Sequence, residues 1–410
     1  MPDFLPFPGI RYDLDAVGTD LGPLVAPPYD VVDDELCTSL EAAHEHNAVR
    51  LILPRDDTRE GDRYERAART LRDWQQLGVL RRDDRPRFYT YRMEFRDTHG
   101  NDRQTTGVFG ALVLPRSADG SVLPHERTLP KAKSDRLALL RAMRANVDPI
   151  WGLSVTDGLT DLLEVTEPLG GCTDVDGVRH VLGAVPDERA AAVRAAVGAG
   201  PLVLADGHHR YETALAYRAE LEAAGADTTG ADGIMTFVVE LADDQLCIEP
   251  IHRLVTLPAG TDVRARLADA FVVTDAGPNA PEGVDALERR MRADGGIGLV
   301  DGHGLALLVG RRTVVDPTLA DEPEPVRSTD AALVEAAVVP RLEGATWEYR
   351  HDAHAVAALV DKRNASAGVL LRPVSVADTR AAATAGLRMP QKTTFFTPKP
   401  RTGMVFRSLD

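Results

Sequence analysis

The chain has 410 residues, a length that at ~150 residues per domain predicts two to three domains. With 44% apolar and 27% charged residues it reads as a soluble globular protein that builds its core without disulfide or metal staples. Forty-seven Lys and Arg against 63 Asp and Glu leave a net charge of −16. That balance argues against a general nucleic-acid or anionic-membrane binder, while a local basic pocket can still hold a phosphorylated small molecule.

No run approaches the ~18 consecutive apolar residues of a membrane span. The opening "MPDFLPFPGIRYDLD" has no basic segment before an apolar stretch, so no signal peptide is expected there. Cys37, Cys172 and Cys247 are odd in number and far apart. They read as buried thiols of a cytoplasmic protein rather than a redox pair or zinc knuckle.

In chain order, a Pro-rich entry leads to "HNAVRLILPR", where Val49, Leu51 and Leu53 alternate in a short strand pattern. Tyr64, Ala67, Ala68, Leu71, Trp74 and Leu77 fall at helical spacing, and Gly78 stops that helix. "RFYTYRMEF" and "TGVFGALVLP" are β-rich runs bounded by turn residues, expected to pair in one sheet. Leu137, Leu140 and Met143 form an apolar helical stripe that Pro149 is expected to end. "PLVLADGHHRYETALAYRAELEAAG" reads as strand (Leu202–Leu204), tight turn at Gly207, then a helix whose face carries Tyr211, Ala214, Leu215 and Leu221. "GIMTFVVEL" is a buried strand, and "GGIGLVDGHGLALLVGRRTVV" a β-hairpin with "DGHG" at its loop. Pro-, Gly- and acid-rich stretches at 274–285 and 316–330 read as domain punctuation. Helices and strands alternate without a strict βαβ period, which predicts an α+β fold with mixed sheets and flanking helices.

The strongest chemical signal is "ADGHHRYETA" (205–214). A strand ends at Asp206–Gly207 and a helix opens with His208, His209 and Arg210, so unpaired N–H groups and dipole favour a phosphate. Gly207 allows close backbone approach, and Arg210 offers a two-pronged donor for phosphate oxygens. Two other readings stand beside this one. In one, Asp206 merely caps the helix over polar filler; in the other, Asp206, His208 and Glu212 ligate a metal for a metal-dependent hydrolase. In "VLPHERTLPKAKSDR" (122–136), Glu126 beside His125 suits a general base for a hydroxyl, with Arg127, Lys131, Lys133 and Arg136 adding positive charge. An exposed charge cluster at a helix entry is the alternative. In "MPQKTTFFTPKPRTGMVFR" (389–407), Lys392, Thr393 and Thr394 supply an ammonium and two hydroxyls, with Lys399 and Arg401 following; a strand edge blunted by basic residues is the alternative. "VAPPYDVV" (25–32) is a rigid binding-loop edge or a plain turn, His252–Arg253 a strand start, and Asn146 a helix end. Walker A, G-x-G-x-x-G and G-x-S-x-G sequences are absent.

Seven phrases in one order, "VAPPYDVV", "NAVRLILP", "LPHERT", "ANVDPIWGL", "ADGHHRYETA", "IHRLV" and "MPQKTTFFTPK", resemble the family catalogued as domain of unknown function 1015 over nearly the whole chain. Three of them are also similar to the active-site phrases of free-serine kinases of the ParB/sulfiredoxin-like superfamily. That resemblance implies a ParB/sulfiredoxin-like nucleotide-binding core with an additional N-terminal α/β region. The expected parts are an N-terminal region 1–115, a core 116–275 and a C-terminal α/β region 276–410. It implies Glu126 as base with His125 beside it, Gly207, His208, His209, Arg210 and Arg136 around the nucleotide, and Asp206 orienting the turn or a Mg²⁺. Lys392, Thr393, Thr394 and Lys399 would meet substrate or phosphate. Gln391 stands between Pro390 and Lys392, and Phe395 stands where those kinases carry arginine.

The expected function is therefore a cytoplasmic kinase passing a phosphoryl group from ATP or ADP, with Mg²⁺, to the hydroxyl of serine or a related metabolite. Its partners would be a nucleotide and a small-molecule substrate, not nucleic acid or membrane. A non-catalytic nucleotide or phosphometabolite sensor is the second reading.

Overall fold

The structure is a computed structural model that describes residues 1–56, 62–98, 100–117, 119–124, 133–165 and 167–410. It divides into two compact units. The first is built from Met1–Pro124, Thr128–Cys247 and Pro398–Asp410, the second from Ile248–Thr397, apart from the residues left undescribed.

Among the described residues, nine strands of the first unit form one sheet: β1 (Phe4–Leu5), β2 (Tyr89–Arg96), β3 (Asp102–Val113), β4 (Val122–Pro124), β5 (Ile150–Ser154), β6 (Pro168–Thr173), β7 (Arg179–Ala184), β8 (Leu202–Asp206) and β9 (Gly233–Glu240). Their order is β4-β8-β5-β9-β3-β2-β7-β6, with β1 paired to β3. β4 runs parallel to β8 and β5 parallel to β9, while the other pairs are antiparallel. The sheet is mixed, as expected for α+β. β2 and β3 pair as anticipated, with Tyr89 opposite Phe109. The four helices that bear on the argument are α1 (Arg63–Gln76), α2 (Lys133–Met143), α3 (Asp187–Gly198) and α4 (His208–Ala223). Val193 and Val197 of α3, Tyr211 and Ala214 of α4, and Leu202, Leu204, Ile234 and Val238 of the strands share one buried cluster. A second sheet of this unit joins Leu80–Arg82, Gly9–Tyr12, Phe406–Ser408 and Ala145–Asn146 in that order.

In the second unit β10 (His252–Thr256), β11 (Phe271–Gly277), β12 (Ile297–Asp301), β13 (Gly304–Gly310), β14 (Thr346–Arg350) and β15 (Ala367–Leu370) form an antiparallel sheet ordered β11-β13-β12-β15-β10-β14. The central strands β12, β13 and β15 are buried on both faces and read as continuous apolar runs rather than alternating ones, while the edge strands β11 and β14 are largely exposed. Leu254, Val300, Leu305 and Leu307 pack with α5 (Pro281–Asp294) and α6 (Ala353–Asp361). Val255, Leu299, Ala306 and Leu308 pack with Val326, Ala331 and Ala337 on the other side. β12 and β13 are the expected hairpin, with Asp301 opposite Gly304. The stretches at 274–285 and 316–330 both lie inside this unit, and residue 275 falls within β11, so neither punctuates the division into units.

Three local expectations change. Val49–Ile52 is a short helix, not a strand: the Asn47 side chain accepts from the Val49 N–H at 2.9 Å, and Leu51 and Ile52 are both buried, which alternation forbids. α2 ends at Met143 rather than at Pro149, because Arg144 turns the chain at φ +46° into the Ala145–Asn146 strand. The three cysteines are free, but Cys247 is only half-buried.

One acid-sensitive position arises here. His252 is buried, its Nδ1 accepting from the Leu371 N–H at 3.1 Å. Burial, with Arg253 adding to it, lowers the ring from 6.5 to about 4. The folded value lies below the unfolded one, so this contribution is complete above the unfolded pKa and is lost as pH falls through about 4. Its size is on the order of 3 kcal/mol. Urea unfolding of the full chain across pH 7.5 to 4 checks it: the fall in stability is expected to be shallower in His252→Gln.

Candidate functional site

The buried run Leu202–Ala205 carries β8 through the sheet and delivers Asp206 to its end. Gly207 then takes φ +84° and ψ +26°, a left-handed conformation that reverses the chain directly into α4. A Cβ at this position would lie 2.9 Å from Ile150 Cγ2 and 3.1 Å from Arg210 Nε, so space as well as φ demands glycine. The first turn of α4 holds no acidic residue, and Gly207 provides no side-chain cap. The helix opening therefore keeps its positive character.

Around this turn the first unit assembles two carboxylates and two cations. Arg210 Nη1 lies 2.9 Å from Asp148 Oδ2, and Nη2 lies 3.1 Å from Asp206 Oδ2. Arg210 also donates to the Pro149 carbonyl. Lys399 Nζ pairs with the other Asp206 oxygen at 3.1 Å. Asp148 Oδ1 accepts from the Thr402 hydroxyl at 2.8 Å. Tyr29 places its ring 4.4 Å from the Arg136 guanidinium and 5.8 Å from that of Arg210. Arg136 in turn donates to the Ile52 carbonyl at 2.7 Å and pairs with Asp135.

The charges are mutually stabilised. Burial pushes Asp148 up, and Arg210 offsets only part of that rise. Burial would raise Asp206 too, but Lys399 and Arg210 outweigh it and hold the carboxyl well below its usual range. Burial opposes the Arg210 charge, yet Asp148 and Asp206 overcome it and keep the guanidinium protonated. Burial also lifts Tyr29, against the pull of Arg210.

The segment that carries Lys399 is strapped down at its next residues. Arg401 grips Asp174 through its guanidinium, and its backbone N–H donates to the Tyr91 hydroxyl at 3.0 Å. His180 links the same two residues, Nδ1 to the Tyr91 hydroxyl at 2.7 Å and Nε2 to Asp174 at 2.9 Å. Thr402 exchanges backbone hydrogen bonds with Ala26 at 2.8 and 3.0 Å, which fixes the start of the loop bearing Tyr29.

Of the residues anticipated from sequence, Asp206, Gly207, Arg210 and Lys399 are brought together, His208 and His209 open α4 beside them, and Arg136 joins through Tyr29. Arg210 differs from expectation in its use: Nη1 serves Asp148 and Pro149 and Nη2 serves Asp206, while Nε has no hydrogen-bond partner among the described residues. Asp206 likewise has one oxygen on Lys399 and the other on Arg210, which suits orienting the turn and not holding Mg²⁺. Among the described residues no three His, Cys, Asp or Glu side chains are grouped to hold a metal ion, so the hydrolase site of Asp206, His208 and Glu212 lacks its ligand set. His125, Glu126 and Lys131 lie outside the described residues. Lys392, Thr393 and Thr394 belong to the second unit. There Lys392 takes φ +57°, Thr393 and Thr394 are buried, and the Thr393 hydroxyl donates to the Pro390 carbonyl at 2.7 Å. Arg253 of the same unit reaches the Gln391 carbonyl at 3.4 Å.

Sequence reasoning missed Asp148, Thr402 and the role of Tyr29. Asp148 sits inside the phrase "ANVDPIWGL" and Tyr29 inside "VAPPYDVV", so the recurrence of those phrases was the available signal.

Among solved structures, the chain is similar to a free serine kinase in complex with AMP, at 14% identity and TM-score 0.37, covering 71% of this chain and 87% of that one. A conserved hypothetical protein from Pyrococcus furiosus matches at 12% identity and TM-score 0.37, over 74% of this chain and 95% of that one. A C-terminally truncated SbnI from Staphylococcus aureus matches at 13% identity and TM-score 0.37, over 72% and 85%. No curated protein sequence matches significantly. The family model described as "Protein of unknown function (DUF1015)" matches residues 4–332, and the chain belongs to that family.

Proposed function

We propose that the protein is a small-molecule kinase that moves a phosphoryl group from ATP or ADP to the hydroxyl of free serine or a related metabolite. The observation that carries this reading is the Asp206–Gly207–α4 turn: a helix opening with no acidic residue in its first turn, reached through a left-handed glycine, with Lys399 held 3.1 Å from Asp206. Such an opening suits phosphate oxygens, since N–H groups and dipole both point at the anion. In phosphoryl transfer the protein mainly positions the donor and neutralises charge, which these groups are able to do.

In this reading the His208 and His209 N–H groups and Lys399 receive the phosphates, and Asp206 and Arg210 hold the turn in shape. Glu126 takes the proton of the acceptor hydroxyl, with His125 beside it. Lys392, Thr393 and Thr394 serve the acceptor. Mg²⁺ would arrive on the nucleotide, whose phosphates are its natural ligands together with water.

A phosphoryl-transfer screen of hydroxylated amino acids with ATP and with ADP, read by product mass, tests the proposal. Nucleotide binding without turnover across that panel would favour a sensor instead. Lys399→Met is expected to weaken ADP binding roughly 10- to 100-fold by calorimetry, the worth of one charge-assisted contact. An unchanged affinity would remove Lys399 from the anion site.

A further inference from the structure

Lys399 reaches the Gly207 turn from a short, stiff piece of chain. It stands between Pro398 and Pro400, and a proline fixes its own φ while holding the residue before it in extended backbone. The direction of Lys399 is therefore inherited from the residues that follow it. Thr402 is bonded to Asp148 at 2.8 Å. Arg401 enters a ring of side chains on the β6–β7 hairpin and β2.

Every proton in that ring is assigned by its partners. One oxygen of Asp174 closes the hairpin turn, accepting from the Asp176 and Val178 N–H groups at 2.9 Å each. The other faces His180 Nε2 at 2.9 Å and Arg401 Nε at 3.0 Å. Burial would raise Asp174, yet His180 and Arg401 outweigh it and keep the carboxylate ionised, so Nε2 donates. Burial also holds the His180 ring below its ordinary value, against the pull of Asp174. Nδ1 thus carries no proton and accepts the Tyr91 O–H at 2.7 Å. The Tyr91 oxygen in turn accepts the Arg401 N–H at 3.0 Å.

A carboxylate, an imidazole and a phenol in this order resemble a proton relay, but Tyr91 and His180 are both 0% exposed, so no substrate meets them. Both ends of the chain of hydrogen bonds close instead on one residue, Arg401, through its backbone and its guanidinium. A buried polar network that is fully satisfied is rigid and specifies one arrangement.

We infer that Tyr91, Asp174, His180 and Arg401 are positioning residues for Lys399, holding its ammonium at the anion site through Pro400. This rests on the proposed function, and it adds to that reading the residues that aim the lysine.

A double-mutant cycle on the full chain, read by ADP calorimetry, tests it. Tyr91→Phe keeps the ring and removes the hydroxyl, and is expected to weaken ADP about 2- to 10-fold, the worth of one hydrogen bond. Arg401→Gln is expected to weaken it further, with Arg401→Lys, which retains a charge against Asp174, between the two. In the Lys399→Met background the same substitutions are expected to change affinity by less than about 2-fold, because the group they aim is gone. A general loosening of the fold lowers affinity equally in both backgrounds. Equal losses with and without Lys399, or no loss in Tyr91→Phe and Arg401→Gln, overturn the positioning role and leave the phosphate turn standing. Unchanged affinity in Lys399→Met, or no ADP binding by the unmodified chain, overturns the anion site and the positioning role together. If Arg401→Gln does not fold, Tyr91→Phe carries the cycle.

Discussion

Arg210→Ala is expected to cost about 3–5 kcal/mol of stability, the range found when one partner of a buried ion pair is removed. The reason lies in Asp148. Its side chain is 5% exposed, its charge is balanced by Arg210 at 2.9 Å, and the Thr402 hydroxyl alone does not replace a guanidinium. The same substitution frees the Pro149 carbonyl and one oxygen of Asp206. Urea unfolding is the direct measurement, and Asp148→Asn in the Arg210→Ala background should recover part of the loss, since it removes the stranded charge. A loss below ~1 kcal/mol would mean that Asp148 takes up a proton or water at little cost, as exposed pairs do.

Glu126→Gln is expected to lower turnover by roughly 10²- to 10⁴-fold, the usual worth of a general base, while leaving ADP affinity unchanged. The amide keeps the size and the hydrogen-bonding reach of the carboxylate but does not accept the proton of the acceptor hydroxyl. Single-turnover kinetics beside calorimetry reads the two effects separately. Full turnover in Glu126→Gln would assign the base elsewhere. Loss of nucleotide affinity with turnover would instead place Glu126 among the groups that hold the donor.

The local part of the site was legible in sequence because its determinants are local. An apolar run, an aspartate, a glycine and a helical apolar stripe are enough to read β8, the turn and α4, since each rests on backbone conformation and periodicity. The β2–β3 pairing was legible for the same reason, as the two strands follow one another along the chain. Asp148 was not legible: an aspartate before a proline looks like a turn residue, and its partners Arg210 and Thr402 lie 62 and 254 residues further on. Tyr29 reads as a binding-loop edge or a plain turn, because nothing near it in the chain announces Arg136. The Val49–Ile52 segment failed for another cause: so short an apolar stretch, broken by Arg50, fits either period, and the Asn47 side chain decided it. In α2 the helix stopped early because Arg144, not the proline beyond it, breaks the backbone pattern.

The strap at 398–402 has a bearing on biosynthesis. Gly9–Tyr12 is translated well before its sheet neighbour Phe406–Ser408, which follows only after the whole of 248–397. A nascent polypeptide halted at residue 390 already carries Gly207 and Arg210 but has no ammonium to set against Asp206. The described part of the second unit, Ile248–Thr397, is continuous and has no such wait, so vectorial synthesis completes it before the first unit. The Asp206–Lys399 pair thus forms late, after the whole second unit has been translated.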